Sequence, residues 1–78
     1  MPPMTYTEQL AAWLAQPGRT EHAMAKSIGK AQPTVNRYRN GKLLPDAATA
    51  RLIDAHTSGH VPFAVWQGEF LRRSGIAA

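Results

Sequence analysis

Two complete sets of helix start and stop signals lie back to back in the middle of this chain, with only three residues between them. Thr20 precedes "EHAMAKSIG", where a capping oxygen, an acid in the first turn, the apolar pair Met24 and Ile28, and a terminal Gly29 define a short helix over Glu21–Ile28. "QPTVNRYRNG" opens near Gln32 with Pro33, which is tolerated because first-turn amides have no intrahelical partner, and stops at Asn40 and Gly41. A connection of Gly29 to Ala31 alone is that of a helix-turn-helix. Ala25 is small where the second helix of such a unit passes close behind the first, and Gly29 stands where the chain must take a positive φ to turn sharply. Met24, Ile28, Val35 and Tyr38 supply the apolar faces that pack the pair.

The flanking sequence continues in the same period. Tyr6, Leu10, Trp13 and Leu14 form an amphipathic stripe, Thr5 or Thr7 can cap its start, and "QPG" at Gln16 to Gly18 ends it. Pro45 and Asp46 open a fourth helix through about His56, with Ala48, Leu52 and Ala55 at helical spacing and Ile53 beside them. "TSGHV" is a turn. Pro62 starts a fifth helix carrying Phe63, Trp66 and Phe70, and Ser74 with Gly75 releases the tail. Nothing alternates with the period of a strand, and no repeat or low-complexity segment occurs. The expected fold is all-α, five short helices forming one domain over residues 1–78, with a core from about 5 to 73.

A chain of 78 residues buries only about 60% of its unfolded surface, so no large catalytic pocket is expected. It has no cysteine, which removes a disulfide framework and a Cys-based zinc site and leaves helix packing or self-association to stabilise it. No apolar run approaches the roughly 20 residues of a membrane span, and "MPPMTYTEQL" is not a secretory leader, so a soluble cytoplasmic protein is expected. The formal net charge of +4 is local. Arg19, Lys26, Lys30, Arg37, Arg39 and Lys42 stand against the single acid Glu21, while the residues before and after this segment carry no excess of base. Such a stripe is the electrostatic footprint of a nucleic-acid binder.

At about 100° per residue, Gln32, Pro33, Asn36, Arg37 and Asn40 share an arc of roughly 140° on the third helix, opposite Ala31, Val35 and Tyr38. That polar face carries no acid of its own. Solvated helix faces commonly mix Glu with Lys, whereas amides and arginine match the donor and acceptor patterns of base edges in the major groove. Gln-Pro at the entrance turns the Gln side chain and the positive end of the helix dipole toward what lies ahead, which suits DNA and its phosphates.

"AMAKSIGKAQPTVNRYRNGKLLP" resembles the helix-turn-helix core of the Cro and lambda-repressor-like regulators, the XRE family. Its members show an Ala followed by a Gly four residues on, a Gln-Pro or similar entry, "TV" followed by a polar residue and Arg, and a closing Asn-Gly. "VPFAVW" is similar to the last helix of short phage-type Cro-like regulators. The resemblance covers most of residues 5 to 70, and its specific part runs from Thr20 to Pro45. It implies that Gln32, Pro33, Thr34, Asn36 and Arg37 read bases in an operator of double-stranded DNA. Thr20, Arg39, Asn40 and Lys42 would then contact phosphates, with Lys26 and Lys30 as further cations. Three positions depart from the pattern: Glu21 stands where the family often has a Gln that braces the phosphate backbone, Lys30 replaces an aliphatic residue, and Ala31 replaces a capping Ser.

No nucleophile has a base and an orienting group near it in sequence, so no enzymatic activity is expected. His56 and His60 form no recognisable ligand spacing with Asp54 or Glu69, and neither a metal nor a cofactor is expected. The reading that results is a Cro-like repressor acting as a homodimer on an inverted-repeat operator. The C-terminal third offers Val61, Phe63, Val65, Trp66 and Phe70 as the dimer surface. An alternative from another class is an antitoxin, a module that neutralises a partner toxin and binds its own operator secondarily. The same helix-turn-helix serves both.

Overall fold

The computed structural model describes residues 4–75. They form five helices, α1 (Tyr6–Leu14), α2 (Glu21–Ile28), α3 (Gln32–Arg39), α4 (Ala47–His56) and α5 (Phe63–Arg73), and no strand is present among the described residues. The chain is all-α, and the local signals set the boundaries. Thr5 accepts from the N–H of Glu8 while the Glu8 carboxylate accepts from the N–H of Thr5, a reciprocal box that starts α1. The hydroxyl of Thr20 accepts from the N–H of Ala23, and the Asp46 carboxylate accepts from the N–H of Thr49. Gly29, at φ 72°, and Gly41, at φ 75°, follow α2 and α3 in the left-handed region. In each case the next N–H closes back on a helix carbonyl, Lys30 onto Ala25 at 2.9 Å and Lys42 onto Arg37 at 2.9 Å.

α2 packs on both α3 and α4, α1 on α3 and α5, and α4 on α5. Tyr6, Leu10, Met24, Val35, Ile53 and Val61 are fully buried at the centre. Removing each such apolar side chain from water contributes about 1.5–3 kcal/mol, so this small core is what holds the five helices together. Ala25 is buried as well, so α3 passes close behind α2.

Packing differs from the sequence pattern on α4 and α5. The stripe of Ala48, Leu52 and Ala55 faces outward, with Leu52 48% exposed, and Thr49, Ala50, Ile53 and Thr57 face the core. The inner stripe mixes Ala50 and Ile53 with two threonines, of which Thr57 satisfies its hydroxyl on the Asp54 carbonyl and the Val61 N–H, so hydropathy spacing alone does not single it out. Val61 and Trp66, expected on a dimer surface, are core residues and leave no free face for a partner, apart from the edge of the Trp66 ring. Phe63 and Val65 are half-buried against the same core, and Phe70 alone of the five is open, at 45% exposure.

Several side-chain polar groups hold elements of the fold in place. Pro62, which precedes α5, offers no side-chain cap, and the Asp54 carboxylate fills that role by accepting from the N–H of Phe63 at 2.9 Å. Glu69, 6% exposed, accepts from Arg72 and from Arg73. His56 lies edge-on to Trp13, and His60 Nδ1 pairs with the carbonyl of Thr57 at 2.8 Å. No cluster of three metal-ligating side chains occurs among the described residues, and no helix among them is long and apolar enough to cross a membrane.

Candidate nucleic-acid interface

α3 buries Val35 and Tyr38 and turns the rest of its circumference outward. Gln32, Pro33, Asn36, Arg37 and Asn40 are exposed along the polar arc of α3, whereas Thr34, also expected to read bases, is half-buried outside that arc. Ala31 gives no side-chain cap to α3, whose entrance is left to backbone donors and to whatever approaches from outside. Thr20 is exposed at the start of α2, and its hydroxyl, already accepting from Ala23, keeps its hydrogen for an external acceptor.

The basic residues divide into two groups. Lys26, Lys30, Arg37 and Lys42 are exposed and form no ion pair among the described residues. Lys30 lies near enough to Asp46 to act on it: Thr49 hydrogen bonds hold the Asp46 carboxyl below its ordinary range, and the Lys30 charge adds to that. Arg39 is different. Its guanidinium donates to Glu21 at 3.1 Å.

The polar face without an acid of its own thus receives one from α2. Glu21 accepts from Gln32 Nε2 at 2.7 Å and from Arg39 at 3.1 Å, while Asn36 Nδ2 spans its two oxygens at 3.1 and 3.3 Å. Asn40 Nδ2 in turn donates to Asn36 Oδ1 at 3.1 Å. Burial pushes the Glu21 carboxyl up, but the bonds from Arg39, Asn36 and Gln32 and the charge of Arg39 outweigh it and hold the group below its ordinary value. Three residues expected to meet DNA, Gln32, Asn36 and Arg39, are therefore joined through a residue that was not among them, and Asn40 is linked to the set through Asn36. The only trace in the sequence was the departure of Glu21 itself, since the contacts cross 11 to 18 positions.

α5 brings a second unanticipated residue. Arg73 donates to the carbonyl of Gly41 at 3.4 Å and so stands beside the exit of α3, and a Cβ on Gly41 would meet Thr7 of α1 at 3.4 Å. Farther along α5, an open apolar groove of about 800 Å³ runs between that helix and the Leu43–Ala47 segment. Phe63, Phe70, Leu71, Leu43 and Leu44 line it, and the edge of Trp66 forms part of its floor.

No protein-family model, curated protein or solved structure matches this chain. The functional reading therefore stands on its own residues.

Proposed function

We propose that this protein is a sequence-specific, double-stranded-DNA-binding regulator of the Cro-like, helix-turn-helix kind, a repressor that occupies an operator and excludes polymerase or a competing regulator. One observation carries the reading. A short helix held by a three-residue turn exposes amides and an arginine on one face, and three lysines without an ion pair among the described residues accompany it on α2, the turn and the segment after α3. Lys26, Lys30 and Lys42 serve the phosphates, and Gln32, Pro33, Thr34 and Arg37 lie toward base edges. Thr20 and Asn40 add polar contacts to the backbone. No catalytic role is assigned to any residue.

One recognition helix reads only a few base pairs, and a domain of this size gains operator-grade affinity by acting as a pair. The apolar groove beside α5 supports a protein partner, and a second copy is the partner proposed, with Phe63, Phe70, Leu71 and Leu43 at the contact. Each copy measures 36 × 27 × 21 Å, a size at which two recognition helices related by a two-fold axis can enter successive major grooves about 34 Å apart. The same groove favours a second reading, in which a toxin seats there and operator binding is subsidiary.

Selection of bound duplexes from a random pool tests the proposal. An inverted repeat with half-sites about 10 base pairs apart, bound by two protein chains, is the expected result. A pool with no enriched sequence would remove the reading, and one chain per site without a repeat would remove the dimer. A tight complex with the product of an adjacent gene, formed through Phe70 and Leu43, would favour the antitoxin reading.

A further inference from the structure

Glu21 dictates how its neighbours point. A carboxylate has no hydrogen to donate. The amides of Gln32 and Asn36 must therefore present their NH2 groups to it, because the reverse orientation would set carbonyl oxygen against carboxylate oxygen at the separations seen, 2.7 to 3.3 Å. The consequences differ for the two residues. Asn36 is used on both sides, with Nδ2 bridging the two Glu21 oxygens and Oδ1 accepting from Asn40. Gln32 donates once, and its Oε1 and second Nε2 hydrogen have no partner among the described residues.

Building on the proposal that α3 reads DNA, we infer that Glu21 is a specificity-determining positioning residue: it holds Gln32 with its carbonyl oxygen outward to read an amino-bearing base, and it holds Asn36 as a brace and not as a reader. In the major groove an outward acceptor selects the amino group of adenine or cytosine, and the remaining Nε2 hydrogen completes the match to N6 and N7 of adenine. Adenine is thus the base assigned to Gln32. Arg39 belongs to the same device, since its guanidinium pairs with Glu21 at 3.1 Å and holds the carboxylate between the helices.

A glutamine at position 21 has nearly the same shape but both a donor and an acceptor, so it tolerates either orientation of the neighbouring amides. Selection from a random duplex pool with the wild type, Glu21→Gln, Gln32→Ala and Asn36→Ala tests the inference. The wild type should enrich adenine at one position of each half-site, and Gln32→Ala should erase that preference. Glu21→Gln should weaken discrimination at the same position about tenfold and leave the positions read by other residues intact. Asn36→Ala should blur the Gln32 position without erasing any other. An unchanged preference in Glu21→Gln, or a separate position lost in Asn36→Ala, overturns the inference while leaving the DNA-binding reading in place. A wild-type pool without enrichment overturns both. Nuclear magnetic resonance of the free wild-type protein gives a readout that needs no variant to fold. The Asn36 side-chain amide protons should be displaced from those of the exposed Gln67 and move as Glu21 titrates; signals indistinguishable from those of Gln67 overturn the brace.

Discussion

The indole N–H of Trp66 donates to the carbonyl of Pro45 at 2.7 Å, a buried bond that ties α5 to the segment leaving α3. α3 is thereby positioned at its far end as well as at the turn. Trp66→Phe leaves that carbonyl without its donor and should lower stability by about 1–3 kcal/mol in urea unfolding, beyond any loss of packing. The same ring lies 5.0 Å from Phe63 and 5.2 Å from Phe70, so the variant also loosens the wall of the groove. A midpoint equal to that of the wild type would mean that the bond contributes nothing.

Gly29 tests the turn. Its φ of 72° is left-handed, and beyond its chain neighbours no heavy atom of the described residues lies within 4 Å of where a Cβ would stand, so substitution strains the backbone without a clash. Gly29→Val should cost about 1–3 kcal/mol, a large share of a small domain's stability. Gly29→Asn should cost less than half as much, because Asn tolerates this region. Equal thermal shifts in the two variants would show that space and not φ limits the position.

The helices were legible because their ends are written locally: Thr5, Thr20 and Asp46 cap, and Gly29 and Gly41 stop, within a few residues of what they act on. The burial of Met24, Ile28, Val35 and Tyr38 followed from helical period, and that of Ala25 from its small size where the next helix passes close behind. Period was insufficient on α4, where the buried stripe includes threonines and hydropathy spacing did not separate Ile53 from Leu52. It was also insufficient for Val61 and Trp66, since apolar character does not distinguish a core from an interface. Most of all, it could not bring Glu21 to Gln32, Asn36 and Arg39, because α2 and α3 meet at an angle that no single-helix wheel contains. A face that lacks acids on its own helix acquired one from its neighbour.

Tyr6 predicts an alkaline limit. Burial, aided by the proximity of Tyr38 and Asp54, pushes its phenol well above the ordinary 10.0, and its buried hydroxyl has no hydrogen-bond partner among the described residues. A raised folded-state value favours the neutral phenol, so the contribution is full below pH 10.0 and is lost as pH rises from there toward the folded value. Tyr6→Phe removes an unpaired polar atom and keeps the ring. It should leave stability at pH 7 unchanged or raise it by about 1 kcal/mol, and it should flatten the loss above pH 10. Thermal melts against pH measure both. A marked loss at pH 7 would indicate a partner for the hydroxyl, such as a buried water.

Phe70 tests the pairing surface. With 45% of its surface open, Phe70→Lys should leave the monomer folded, as read by circular dichroism and melting. Placed in an isologous contact, the new charge meets its own symmetry mate, and pairing should be lost both in sedimentation at high concentration and on a two-half-site duplex. Cooperative occupancy of both half-sites by the variant would move the interface away from α5.

Salt dependence separates the two kinds of cation. Lys42 is exposed and unpaired, so Lys42→Ala should reduce the slope of log affinity against log salt by about one unit and weaken all sequences alike. Arg39 is engaged with Glu21, and Arg39→Ala removes a cation while also releasing the carboxylate that orients Gln32 and Asn36. It should therefore weaken binding to random DNA and, in addition, narrow the gap between the preferred site and random DNA. The pair is part-buried between α2 and α3, so its loss should also lower stability, by about 1 kcal/mol in urea unfolding. Titration of both variants on selected and random duplexes over a range of salt concentrations resolves the two effects. If Arg39→Ala behaves like Lys42→Ala, with specificity intact, Arg39 is a phosphate contact only and the orientation of the amides does not depend on it.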